Sequence, residues 1–265
     1  HHGYNPRRIF TTYDGYGGNH AAVSPSNWAT FVEYVFENDG PGGLPAPPHL
    51  LKPAFPWDGG RDDISAAFNA GAFLVVHRDH ADGGGWSSPP FSCADVEALT
   101  NGSRRPIVFS VNCLSGMFSS PFSELFCERL LRHPTGGAIG CIGSSAVSLS
   151  GRNDRMTWGW MDAIWPNFVS YFGGTNAGGG PLYLMGDALN YGKLYMMEHF
   201  IFNDDTRLSL AEFHWLGDPA LEIWTREPGD LTVSHSSEVV VSEPSLSVSV
   251  DHDGALVCCS FSNRI

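Results

Sequence analysis

The sequence predicts an α/β fold: a largely parallel sheet with helices on both faces. Three observations carry this. Residues 72–76, 106–111 and 137–143 are short, continuous apolar runs bounded by turn residues, the pattern of strands buried on both faces. Segments of helical period stand between them, so strands and helices alternate along the chain. The composition permits a large core, because hydrophobic residues make up 42% of the 265 and charged residues only 16%, against roughly 25% charged in an average chain.

Taken in order, residues 8–12 form a short strand-like run. A glycine-rich turn at 14–18 then leads to a helix capped by Ser24-Pro25-Ser26-Asn27, with Trp28, Phe31, Val32 and Val35 at helical spacing. Residues 41–56 are a proline-rich connection holding a short strand at 50–52. A helix over 62–69 stops at Ala70-Gly71. The first buried strand hands the chain to His77-Arg78-Asp79-His80. A Gly/Ser/Pro loop follows as far as Phe91, with a short helix at 94–99, and the second buried strand delivers Asn112-Cys113. An amphipathic helix is expected over 122–131. The third strand is so rich in glycine that a neighbour must approach it closely. Residues 144–154 are polar, further helices are expected at 158–172 and 186–202, and a last strand at 221–224. From Thr225 the texture changes to short-period alternation of apolar and small polar residues, which is β-sandwich patterning. A boundary at Glu227-Pro228-Gly229 divides an α/β unit over 1–226 from a truncated sandwich segment over 229–265.

The formal charge of −13 leaves no basic stripe to neutralise phosphates, which argues against a nucleic-acid partner. No apolar run reaches the roughly 18 residues of a membrane span. The chain begins at His1 and reads as a fragment of something longer, so the lack of a leader says nothing about secretion. The six cysteines are scattered and none lies in a C-x-x-C pair, which fits neither a disulfide framework nor a zinc site.

Ligands of an open α/β sheet bind beyond the carboxyl ends of its strands. Two buried strands end near His80 and Cys113, so a thiol and an imidazole meet at one edge. That pair is the minimum apparatus for acyl transfer, with the imidazole taking the thiol proton and later giving it to the leaving amine. Cys93, Cys127 and Cys141 read instead as small buried hydrophobes. His77 competes with His80 for the role of base, but strand alternation places it on the other face, where a structural role is expected. A metal site built from His77, Asp79, His80 and Asp82 has the right residue types and the wrong spacing, since no helical H-E-x-x-H is present. Asp204-Asp205 could hold a structural calcium ion, or could simply be a solvated turn.

Several segments resemble the gingipain family of cysteine peptidases, in the same order as in that family. They are F-L-V-V-H-R-D-H-A-D-G-G-G-W, D-V-E-A-L-T-N, P-I-V-F-S-V-N-C-L-S-G-M-F, F-S-E-L-F-C-E-R-L-L, G-G-A-I-G-C-I-G-S-S and F-H-W-L-G-D-P-A-L-E-I-W. The resemblance implies a caspase-like three-layer α/β/α sandwich followed by an immunoglobulin-like domain. It also implies a secreted or surface endopeptidase that acts on protein or peptide substrates without a cofactor. Cys113 takes the place of the nucleophile, His80 that of the general acid/base, and Asp14 loosely that of an acid orienting the imidazole. The backbone N–H groups of Ala81 and Cys113 would form the oxyanion hole. The family usually has glycine where Ala81 stands, which leaves open a catalytically inactive member that binds peptide or serves surface display. Trp86, Ser144 and Trp158, with Met156, are the candidates for lining the substrate cleft. Arginine-directed relatives carry an acid ahead of the Asn/Trp helix, whereas Ala21-Ala22-Val23-Ser24 offers none, so a preference other than arginine is expected.

Overall fold

The structure is a computed structural model and describes residues 9, 59–87, 89–119, 125–166, 179–225, 230–236 and 245–255. The helix expected after residue 24, the strand at 50–52 and Asp14 lie outside the described residues. The chain divides into two units, His1–Ile223 and Trp224–Ile265.

In the first unit, helix α1 (Arg61–Asn69) buries Ile64 and Phe68, four residues apart on one face. It ends at Ala70, with Gly71 at φ 89°, in the left-handed region where glycine carries no Cβ penalty. Strand β1 (Leu74–Arg78) follows. Next come three short antiparallel strands that form a sheet of their own: β2 (Ala81–Asp82), β3 (Gly85–Ser87) and β4 (Pro90–Ser92). Ser92 then caps α2 (Cys93–Glu97), its hydroxyl accepting the Asp95 N–H. Strand β5 (Ile107–Val111) is buried along its whole length, as is β6 (Gly140–Ser144); between them lies α3 (Phe126–Arg132). Helices α4 (Ser150–Ile164), α5 (Met185–His199) and α6 (Asp204–Glu212) precede strand β7 (Phe213–Leu216).

Among the described residues the main sheet has the order β1-β5-β6-β7. The first three strands run parallel and β7 runs antiparallel along β6. Alternate residues of β5 face opposite layers: Ile107, Phe109 and Val111 pack with Met156, Trp160 and Met161 of α4 and Met196 of α5, while Val108 packs with Phe68, Val96, Phe126 and Leu130 of α1, α2 and α3. Helices therefore cover both faces, the three-layer arrangement expected from the sequence. The glycine-rich strand has the close neighbours it implied. A Cβ on Gly140 would run into the Trp215 ring, and one on Gly143 would come within 2.9 Å of the Gly116 backbone.

Four expected elements are corrected. The helix expected at 158–172 begins at Ser150 and ends at Ile164, because residues 150–155, polar but for Gly151, are helical and one of them, Asp154, is buried against Arg78. The segment expected as one helix over 186–202 stops at His199; Asn203 then opens α6 by accepting the Thr206 N–H at 3.0 Å. The fourth strand is β7 and not 221–224, where Glu222 makes a single bridge to Leu184. Helix α3 begins at Phe126, since Leu125 is extended.

In the second unit, β8 (Val233–His235) and β9 (Val248–Val250) pair antiparallel, with Val233 opposite Val250.

Candidate active site

Parallel pairing between β1 and β5 puts Arg78 opposite Val111. His80 and Cys113 each lie two residues beyond that rung, at the carboxyl edge where an open α/β sheet binds its ligands. Cys113 is half-buried. Its Sγ faces Ser148, which offers a backbone N–H at 3.4 Å, a hydroxyl at 3.8 Å and a carbonyl oxygen at 3.7 Å. The two donors suit a thiolate and the carbonyl suits a thiol, so one residue can serve both protonation states. Asn153 of α4 holds the Ser148 hydroxyl through its Nδ2 at 2.7 Å.

The turn after Cys113 is tight. Leu114 has φ 59°, the one positive value among the described non-glycine residues, a conformation costing about 1–2 kcal/mol for an L-residue. Bonds from two directions keep it there. The Leu114 and Gly116 N–H groups donate to the carbonyls of Ala146 (3.0 Å) and Ser144 (2.9 Å), and the Cys127 N–H of α3 donates to the Ser115 carbonyl (3.1 Å). Strain held next to a reactive group is a recurring feature of functional sites.

His77 and His80 have different surroundings. His77 is buried on the face away from Cys113, its ring stacked on Trp86 with centroids 4.4 Å apart. Asn112 Nδ2 donates to its Nδ1 at 2.7 Å, and Ser110 connects Asn112 with the Trp86 indole N–H. An Nδ1 that accepts a hydrogen bond belongs to a neutral ring with its proton on Nε2, so His77 is a member of a buried polar network. His80 lies past the strand end and is half-buried; its backbone N–H donates to the Asp79 carboxylate at 2.7 Å. Between the two histidines, Arg78 turns to the α4 face and donates through Nε to Asp154 Oδ1 at 2.7 Å. That ion pair joins the strand carrying His80 to the helix that follows Ser148.

Ala81 lies in the extended strand β2 opposite Trp86. The Ser87 N–H donates to the His80 carbonyl at 3.0 Å, which makes the preceding rung the hydrogen-bonded kind. The Ala81 N–H therefore points away from β3. The left-handed backbone that would have demanded glycine at this position is absent.

The three candidate cleft residues are all buried. Trp86 is 4% exposed and packed beneath the site with His77, on the layer opposite Cys113. Ser144 is fully buried, its hydroxyl donating to the Ala146 carbonyl at 2.9 Å and its own carbonyl holding Gly116. Trp158 is 4% exposed beneath the Arg155 guanidinium, which lies 4.3 Å from its ring centroid, and Met156 is buried as well. None of them presents an open face to a substrate.

The residues that sequence reasoning missed are Ser148, Asn153 and the Arg78–Asp154 pair. Their signal in the sequence is faint: polar residues at 148, 153 and 154 within a stretch that reads only as polar. Asp204 and Asp205 stand in the first turn of α6, where carboxylates favour the positive end of the helix dipole, and they pair with Arg207 and Arg152. Among the described residues no cluster of three His, Cys, Asp or Glu is placed to hold a metal ion.

The model of peptidase family C25 matches residues 5–224. The chain belongs to this family. Gingipain R1 of Porphyromonas gingivalis is 27% identical to the C25 chain over 213 residues, which is 77% of this chain and 20% of the relative. Gingipain R2 of P. gingivalis strain W83 is 26% identical over 208 residues, 75% of this chain and 26% of the relative. The chain thus spans about a fifth to a quarter of the length of these curated relatives. Among solved structures, the crystal structure of the Arg-specific cysteine proteinase gingipain R matches with a TM-score of 0.63 at 23% identity, covering 74% of this chain and 43% of that one. The complex of the P. gingivalis RgpB pro- and mature domains matches with a TM-score of 0.62 at 22% identity, covering 74% and 44%. The C25 chain shares the caspase-like fold of these proteins. Cysteine peptidases of this family need no cofactor for catalysis, and their substrates are proteins.

Proposed function

We propose that this chain carries the catalytic unit of a cysteine endopeptidase. The supporting observation is the β1–β5 register, which sets His80 and Cys113 at equal depth beyond the same rung. His80 takes the Cys113 proton, and the thiolate attacks the scissile carbonyl carbon. The resulting oxyanion accepts hydrogen bonds from the backbone N–H groups of Ala81 and Cys113, contacts worth roughly 2.7–4 kcal/mol each in comparable sites. The imidazolium then protonates the leaving amine as the C–N bond breaks, leaving a thioester. Water, deprotonated by His80, hydrolyses that thioester and restores the thiol. Ser148 supports the thiolate from one side, and Asp14 is the acid proposed to orient His80.

Cys113→Ala should abolish hydrolysis of a denatured protein substrate, and His80→Ala should lower it roughly 10²–10⁴-fold. Undiminished turnover by Cys113→Ala would refute the mechanism. Stoichiometric peptide binding by the parent chain without turnover would instead establish the inactive display module. Secretion or surface location, and an immunoglobulin-like domain beginning at 229–265, belong to the same proposal. A preference other than arginine follows from Ala21-Ala22-Val23-Ser24, and a positional peptide library cleaved chiefly after arginine would overturn it.

A further inference from the structure

Two cysteines that the peptidase chemistry does not use meet in the core behind the site. Cys127 lies in the first turn of α3 and Cys141 lies in β6, and neither is exposed to solvent. Their Sγ atoms are 2.6 Å apart. Both are free thiols in the structure; non-bonded carbon atoms settle at about 3.5–4.0 Å and bonded sulfurs at about 2.05 Å, so the pair is closer than an ordinary contact and near enough to bond with a small shift. The surroundings are apolar, with Val108, Phe126 and Leu130 in the same cluster. Burial pushes the Cys141 thiol up, which keeps it protonated and slow to exchange once the core has closed.

We propose that Cys127 and Cys141 form a buried disulfide that braces the loop carrying Cys113. The oxidant is a low-molecular-weight disulfide such as oxidised glutathione. One cysteine thiolate attacks it, releasing one small thiol and leaving a mixed disulfide; the second cysteine thiolate displaces the other small thiol. In sum two cysteine thiols are oxidised to one S–S bond and one small disulfide is reduced to two thiols. The reaction takes place as α3 docks, before the core shields both sulfurs.

The bond would join the two elements that grip the 113–116 turn. The Cys127 N–H holds the Ser115 carbonyl, while the Ser144 carbonyl at the end of β6 holds the Gly116 N–H. Gly143 fills the space between, since a Cβ there would meet both Cys127 Sγ and Gly116 at 2.9 Å. The cysteines are 14 residues apart. Closing a loop of that length constrains the unfolded chain enough that reduction should lower the melting midpoint by about 6–12 °C. The proposal is independent of whether the chain cleaves peptides, because neither readout involves turnover.

The test uses the protein in a Cys113→Ala background, which removes a competing thiol. After refolding in a reduced/oxidised glutathione pair, the protein is denatured in iodoacetamide and digested with trypsin without reductant. Arg129 and Arg132 lie between the two cysteines, so trypsin separates them unless sulfur joins them. The expected product is one cross-linked species containing Cys127 and Cys141, with the stated drop in melting midpoint on reduction. Adding Cys127→Ala and Cys141→Ala should remove the response to reductant. If that variant does not fold, the peptide map of the parent decides alone. Alkylation of both Cys127 and Cys141 in the denatured sample, or pairing of either with Cys93, Cys258 or Cys259, would overturn the proposal.

Discussion

Asp154→Ala would strip the partner from a buried cation at the end of the strand that carries His80. Arg78 is 8% exposed and Asp154 7%, with Nε and Oδ1 2.7 Å apart. Removing one member of such a pair leaves an uncompensated buried charge and costs about 3–5 kcal/mol. The bond from Arg78 Nη2 to the Ser150 carbonyl at 3.3 Å offers a dipole and cannot neutralise the guanidinium. The exposed pair of Arg132 with Glu128, at 3.4 Å on successive turns of α3, supplies a control: Glu128→Ala should cost less than about 0.5 kcal/mol. Urea unfolding followed by the fluorescence of the eight tryptophans measures both. The double variant Arg78→Met/Asp154→Leu should recover most of the loss, because exchanging a buried ion pair for apolar residues is often close to neutral. A loss below about 1 kcal/mol for Asp154→Ala would show that water reaches the pair, and that β1 and α4 are not joined in the way described.

Three further outcomes are expected. Gly116→Ala places a Cβ 2.5 Å from the Gly143 carbonyl carbon, a backbone clash that side-chain movement cannot relieve; it should cost at least about 1–3 kcal/mol, and an unchanged melting curve would contradict the contact. Asn112→Ala strands the partners of a buried network and should destabilise the protein by about 1–3 kcal/mol, again read by urea midpoints. Burial pushes the Glu212 carboxyl up to about 7, so the folded chain keeps a proton that the unfolded chain releases from about pH 4.5 upward, and stability falls across that window and levels off above pH 7. Glu212→Gln should therefore leave stability nearly unchanged at about pH 4.5 and raise it at about pH 8 by no more than about 3 kcal/mol. An equal difference at both pH values would contradict the shift.

The strands that matter most were legible because burial on both faces writes an uninterrupted apolar run, as in residues 106–111. The turn that follows each run then fixed where His80 and Cys113 emerge. The helix starts were harder to read. Ser150 to Asp154 look like loop residues because their polar side chains suggest solvent, yet Asp154 is spent on Arg78 and Asn153 on Ser148, partners supplied by distant parts of the chain. Strand β7 was hidden because it follows α6 without a Gly or Pro break and is only four residues long. Trp86 and Trp158 suggest a cleft by their type, although a tryptophan whose N–H finds a partner fits a core equally well. The closeness of Cys127 and Cys141 depends on how α3 packs on β6, which no local pattern encodes.

The central claim is that Cys113 is the nucleophile, and competitive labelling tests it most directly. Cys93 and Cys113 are both half-buried, so accessibility alone does not separate them, and burial pushes the Cys93 thiol up. With limiting iodoacetamide near neutral pH, followed by peptide mapping, Cys113 should be modified ahead of every other cysteine, with peptide hydrolysis lost in proportion. Equal labelling of Cys93 and Cys113, or hydrolysis that persists after Cys113 is fully modified, would contradict the account.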